Sequence, residues 1–188
     1  MKPSFNVNAI PLVMRNLSQW VVWKLELRDP DKSEGPGNKL TKTPYNAHLI
    51  KHNGFTMLPN RGGKAKSNDP TTWCSFQEAL DVYQNCAATS GIGFCFGKDD
   101  GLAGIDLDHC FDADHKLLPQ ALEIVEQFLG TYIEYSPSGD GLHIWCKGKV
   151  VKPGRRVILA KEHVEMAVEV YDASSARYFT VTGKPFIG

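Results

Sequence analysis

The chain has 188 residues, with 21 basic and 21 acidic side chains and an ordinary share of apolar ones, a profile of one well-buried domain or at most one domain with a small appendage. No apolar run approaches the ~20 residues needed to span a bilayer, and the start Met-Lys-Pro-Ser-Phe-Asn has neither an apolar core nor a small-residue cleavage site. The cytoplasm is therefore the expected compartment, and the five cysteines, none in a C-x-x-C pair, are expected mostly as small core residues rather than disulfides or a zinc site.

In chain order, Trp20-Val-Val-Trp-Lys-Leu-Glu-Leu-Arg28 starts apolar and then alternates, the pattern of a strand. Residues 29–72 are rich in Pro, Gly, Asn and Lys and are expected as a long loop region with short strands. Ser75-Phe-Gln-Glu78 is a capping box, and the helix it opens is expected to run to about Cys86 with Phe76, Ala79, Leu80 and Tyr83 on one face. Strands are expected at 91–96 and 102–108. A helix over 118–129 follows, with Pro119 in its first turn and Leu118, Leu122, Val125 and Leu129 as its apolar stripe. Strands at 131–136, 142–146, 167–171 and 178–182 complete the series. Strands broken by two helices make an α+β domain with a mostly antiparallel or mixed sheet. Neither a Rossmann fingerprint nor a P-loop is present.

The zero net charge hides a segregated pattern. Seven basic residues and one acid lie between Lys32 and Lys66, six aspartates and no base between Asp99 and Asp114, and six bases and no acid between Lys147 and Lys161. Such blocks can set an acidic metal-binding centre between basic surfaces that grip phosphates; solvated loops of clustered sign fit the charges equally well.

Asp106 and Asp108 are two apart on an expected strand, so their carboxylates share a face a few ångströms apart. They repel unless a cation lies between them, and oxygen ligands of this kind suit Mg²⁺ or Mn²⁺. The alternative is a pair of exposed polar residues on an edge strand. A calcium loop fails on spacing, because Cys110 and Phe111 stand where an oxygen ligand and a glycine are needed. In Ser136-Pro-Ser-Gly-Asp-Gly-Leu-His143, Gly139 and Gly141 permit a turn whose N–H groups approach phosphate oxygens. Ser138 and His143 add donors. A plain hairpin with a half-buried His remains open. Glu169, between apolar residues, is a solvent-facing acid or a third metal ligand, with Asp172 in reserve; Arg177 is a candidate phosphate contact, and Phe179 is expected to pack.

Together, Asp106-Leu-Asp108, Ser138-Gly-Asp-Gly-Leu-His143 and Glu169 resemble, in that order, the motifs of the archaeo-eukaryotic primase superfamily, in its phage and plasmid primase–polymerase branch. Trp20-Val-Val-Trp-Lys, Thr41-Lys-Thr-Pro-Tyr45, Asp69-Pro-Thr-Thr-Trp73 and Arg177-Tyr-Phe-Thr-Val-Thr-Gly183 extend the resemblance over nearly the whole chain. It implies a catalytic domain over 1–188 in which an RRM-like sheet packs with a smaller N-terminal α/β unit, with the site in the cleft. It also implies Mg²⁺ or Mn²⁺ on Asp106, Asp108 and Glu169. The nucleotide's phosphates would lie on His143 and Ser138 in the Gly139/Gly141 turn, with Arg177 and Lys42 as further contacts. The implied partners are a DNA template and primer, dNTP or NTP substrates and a helicase domain or protein, and the default state is a monomer. No helicase segment is visible, so primer extension is a firmer expectation than primer initiation. The basic stretches Lys39–Lys66 and Lys147–Lys161 are candidates for strand binding.

Two other functions fit parts of the pattern. A nicking replication initiator would want a His-hydrophobic-His pair, and the chain has His143-Ile-Trp145. A non-catalytic single-strand-binding module would use the aromatics for stacking and leave the carboxylates incidental.

Overall fold

A computed structural model describes residues 5–29, 38–54, 63–152, 154–160 and 165–187. Lys32, Glu34 and Arg61 of the first basic block and Lys161 of the second lie outside the described residues. The chain divides into two compact units, one built from Leu12–Cys95 and the other from Pro3–Pro11 with Phe96–Gly188. Among the described residues the secondary structure is α+β, and the strand pairings within each unit are antiparallel. No helix of the described residues is long and apolar enough to cross a membrane.

In the first unit a short helix α1 (Leu12–Arg15) precedes β1 (Trp20–Leu27). β1 pairs on one side with β2 (Leu40–Tyr45) and on the other with β3 (Gly91–Cys95). β2 is one of the short strands expected within residues 29–72, although its Thr-Lys-Thr-Pro carries no apolar signal to mark its place. The Trp20 indole N–H donates to the Met14 carbonyl, and its ring meets Phe76 and Phe94 edge-on. Helix α2 (Ala47–His52) is joined to α3 (Phe76–Asn85) by a Lys51–Asp81 ion pair and by His48 Nδ1 standing 3.1 Å from Glu78 Oε1. The capping box forms as expected: Ser75 Oγ accepts from the Glu78 N–H, and the Glu78 carboxylate accepts from the Ser75 N–H. Phe76, Ala79, Leu80 and Tyr83 are buried, joined by Val82.

The second unit is built on a sheet in the order β5-β6-β4-β8-β7, comprising β4 (Leu102–Asp108), β5 (Tyr132–Tyr135), β6 (Leu142–Lys147), β7 (Val157–Ala160) and β8 (Met166–Tyr171). β4 is thus central, which disposes of the edge-strand alternative for Asp106 and Asp108. One face carries Ile105, Leu107, Ile133, Leu142 and Ile144, and these pack with Ala121 and Val125 of α4 (Pro119–Gln127) in a common core. The expected stripe on α4 is corrected here. Leu122 and Leu129 are exposed, and the buried line runs through Ala121 and Val125, with Leu118, Ile124 and Phe128 partly covered. Both lines satisfy i, i+3, i+4 spacing; the small Ala121 side chain allows close approach to the sheet. β7 was not expected, since its apolar Val-Ile-Leu-Ala follows Arg155 and Arg156 in a block dominated by charge. The last strand, β9 (Tyr178–Val181), places the buried ring of Phe179 against Gly104. The chain after it runs along β5, with Tyr135 N–H donating to Lys184 O and Phe186 N–H to Ile133 O. Four of the five cysteines are buried and all five are free thiols, as expected.

Candidate functional site

The face of the second unit's sheet opposite α4 carries polar side chains in one line. Antiparallel pairing sets Glu134 across from His143, His143 across from Asp106, and Asp106 across from Glu169. Directly opposed residues point to the same face with Cβ atoms roughly 4.5–5.5 Å apart, so four neighbouring strands contribute one acid-His-acid-acid row. Asp108 lies two residues further along the same face of β4, across from Ala167. Residues far apart in the chain thus meet through register alone.

Burial increases from one end of the row to the other. Asp106 and Glu169 are partly exposed, whereas His143 is 3% and Glu134 0% exposed. His143 Nε2 stands 3.6 Å from Asp106 Oδ1, and Nδ1 stands 3.6 Å from Glu134 Oε1. The imidazole is therefore held between two carboxylates. Phe179 lies beside it, ring centroids 5.0 Å apart, and also meets Trp145 and Tyr171 edge-on. Burial, followed by the charges of Asp106 and Asp108, pushes the Glu169 carboxyl above its ordinary range; Arg156 and Arg177 pull it partly back. Three carboxylates that repel one another at a partly exposed surface are the donor set a hard divalent cation relieves. Among the described residues no three His, Cys, Asp or Glu side chains close around a ready-made cage. Mg²⁺ in particular is often held by one or two carboxylates, the substrate's phosphates completing its shell. Asp106, Asp108 and Glu169 are the carboxylates that could hold such an ion.

The Ser-Pro-Ser-Gly-Asp-Gly turn joins β5 to β6 at the end of this face. Gly139 has φ +80°, a left-handed conformation that favours glycine, and its N–H donates to Ser136 O. Gly141 is required for another reason: a Cβ there would fall 2.5 Å from the Leu107 carbonyl oxygen. The expected nest of amides is therefore changed in part, since the Gly139 N–H closes the turn itself. Ser138 is exposed, with Oγ 2.9 Å from Ser136 Oγ, and His109 of the segment after β4 pairs with Asp140. An open cavity of ≈ 530 Å³ is lined by Ser136, Ser138, Gly139 and Asp140 together with His115, Tyr135 and Lys184.

Arg177 is exposed beyond β8, and its charge reaches Glu169. Asp172 does not join the row. It caps a short turn, accepting from Ser174 N–H and Oγ–H and from Val150 N–H. Lys42 belongs to the first unit, across from Leu25 on β1. Of the second basic block, Lys147, Lys149, Lys152, Arg155 and Arg156 are exposed.

The chain is similar to a phage DNA primase-polymerase. It is 36% identical over 184 residues to the protein of that name from Nitratiruptor phage NrS-1, a match covering 97% of this chain and 22% of the phage protein. The chain thus spans about a fifth of its relative's length. No protein-family profile matches it.

Sequence reasoning missed Glu134, and took in Arg156 only as part of the Lys147–Lys161 stretch. A lone acid between Ile133 and Tyr135 reads as solvent-facing, yet Glu134 is fully buried. The signal available was the hairpin: closing it between Ser136 and Gly141 sets Glu134 opposite His143.

Proposed function

We propose that this chain is a nucleotidyl-transfer domain that adds nucleotides to a primer 3′-hydroxyl on a DNA template and releases pyrophosphate. In this reading its sheet is the RRM-like catalytic sheet of a primase–polymerase. The observation that carries it is the cross-strand row of His143, Asp106 and Glu169 with Asp108 beside it, in a chain related to a phage DNA primase-polymerase.

Asp106, Asp108 and Glu169 would hold Mg²⁺ or Mn²⁺, which when bound supplies Lewis acidity for the attacking hydroxyl and offsets triphosphate charge. His143 serves as an electrostatic partner of the triphosphate: it is buried among carboxylates and Phe179, so its ring cannot swing away. Ser138 offers an exposed hydroxyl at the neighbouring turn, which Gly139 and Gly141 shape. Arg177, close enough to act on Glu169, would meet a phosphate oxygen as well. Exposed Lys147, Lys149, Lys152 and Arg155 are the strand-binding candidates, and binding through them weakens with salt. Lys42, a helicase partner, the dNTP or NTP substrates and a monomeric state belong to the same proposal.

The test is incubation with a primed template, labelled nucleotides and Mg²⁺ or Mn²⁺. Metal-dependent, template-directed extension is expected. DNA binding without incorporation would favour a single-strand-binding module, and nicking of supercoiled plasmid without nucleotides would favour an initiator nuclease.

A further inference from the structure

Glu134 takes no part in the function proposed above, yet it is the most deeply buried charged side chain of the row. Its two oxygens have different tasks. Oε2 accepts from the Thr182 N–H at 3.0 Å, the Gly183 N–H at 2.9 Å and the Tyr132 hydroxyl at 2.8 Å, while the Thr182 hydroxyl donates to the Tyr135 carbonyl at 2.7 Å. Oε1 accepts no hydrogen bond among the described residues and faces His143 Nδ1 at 3.6 Å. A carboxylate gripped by three donors at one oxygen is held from turning. Its second oxygen is therefore aimed at the imidazole, one small closure from hydrogen-bond length.

We propose that Glu134 is a positioning residue that holds a hydrogen on His143 Nδ1 and fixes the ring so that Nε2 alone faces Asp106 and an incoming triphosphate. A carboxylate behind one ring nitrogen sets the tautomer and orientation and strengthens what the other nitrogen does. The role in catalysis rests on the nucleotidyl-transfer reading; the state of the ring does not.

The discriminating change is Glu134→Gln. The three donors around Oε2 require an acceptor there, so the Gln carbonyl takes that place and its NH₂ faces Nδ1. Nδ1 must then accept, and its hydrogen is displaced. The shape of the site is kept.

Nitrogen NMR of ¹⁵N-histidine-labelled protein at neutral pH reads this directly. The unaltered chain is expected to carry hydrogen on His143 Nδ1, and Glu134→Gln is expected to lose it while retaining the wild-type fold by circular dichroism. In primer extension, Glu134→Gln should raise nucleotide KM ~10-fold with a much smaller change in kcat, in the same direction as His143→Ala and without loss of DNA binding. A His143 without hydrogen on Nδ1 in the unaltered chain overturns the proposal, as does a nucleotide KM unchanged by Glu134→Gln. If the chain incorporates no nucleotide at all, the transfer reading fails and the NMR result still decides the role of Glu134.

Discussion

Gly104 has no room for a side chain: a Cβ would lie 2.5 Å from Phe179 Cε2 and 2.9 Å from Phe96 Cζ. Its absence lets the Phe179 ring rest on the sheet beside His143, so a glycine on β4 shapes the neighbourhood of an imidazole on β6. Gly104→Ala should lower stability by about 1–3 kcal/mol, seen as a lower midpoint in chemical denaturation; an unchanged midpoint would contradict this packing. Asp172 works through hydrogen bonds. Burial alone would push its carboxyl up, but the Ser174 hydroxyl, the Val150 N–H and the Ser174 N–H hold it below the ordinary range. Its folded pKa is therefore below its unfolded one. The stabilisation is complete above the unfolded value near 4 and disappears as pH falls through the folded value. Asp172→Asn should flatten the loss of stability between about pH 5 and pH 2, measured by urea midpoints; the same slope as wild type would remove Asp172 from the account.

The elements differ in how much their own residues reveal. α4 buries Ala121 and Val125 and leaves Leu122 exposed. Ala121→Leu should therefore cost about 1–3 kcal/mol by overpacking, whereas Leu122→Ala should change stability by less than about 0.5 kcal/mol. The reverse order in thermal denaturation would restore the Leu118/Leu122/Val125/Leu129 stripe. Local signals did well where the chemistry is local: the Ser75/Glu78 box, the alternation in β4, and the turn glycines were all legible. They did poorly where tertiary pairing decides. α4 could present either of two apolar lines, and only the sheet beneath selects one. β2 and β7 are polar or charge-flanked strands recognised by their partners. The candidate residues Asp106, His143 and Glu169 were each visible singly, but their alignment depends on the β4–β6 and β4–β8 registers, which join distant segments. Glu134 was missed for the same reason: only pairing shows that it points inward.

On the scale of the whole molecule, zero net charge conceals a row of acids and a histidine across the second unit's sheet and exposed bases from the end of β6 onward. Like charges are rarely gathered at partly buried positions without a counterion, and here Asp106 and Asp108 raise the Glu169 carboxyl. The account stands or falls on that row's chemical role. The direct measurement is metal-dependent extension of a primed template by the unaltered chain beside Asp106→Ala and Asp108→Ala, each verified as folded by circular dichroism. The row predicts extension by the unaltered chain and a loss on the order of 100-fold or more in either variant. Wild-type extension by a folded Asp106→Ala or Asp108→Ala protein would contradict it.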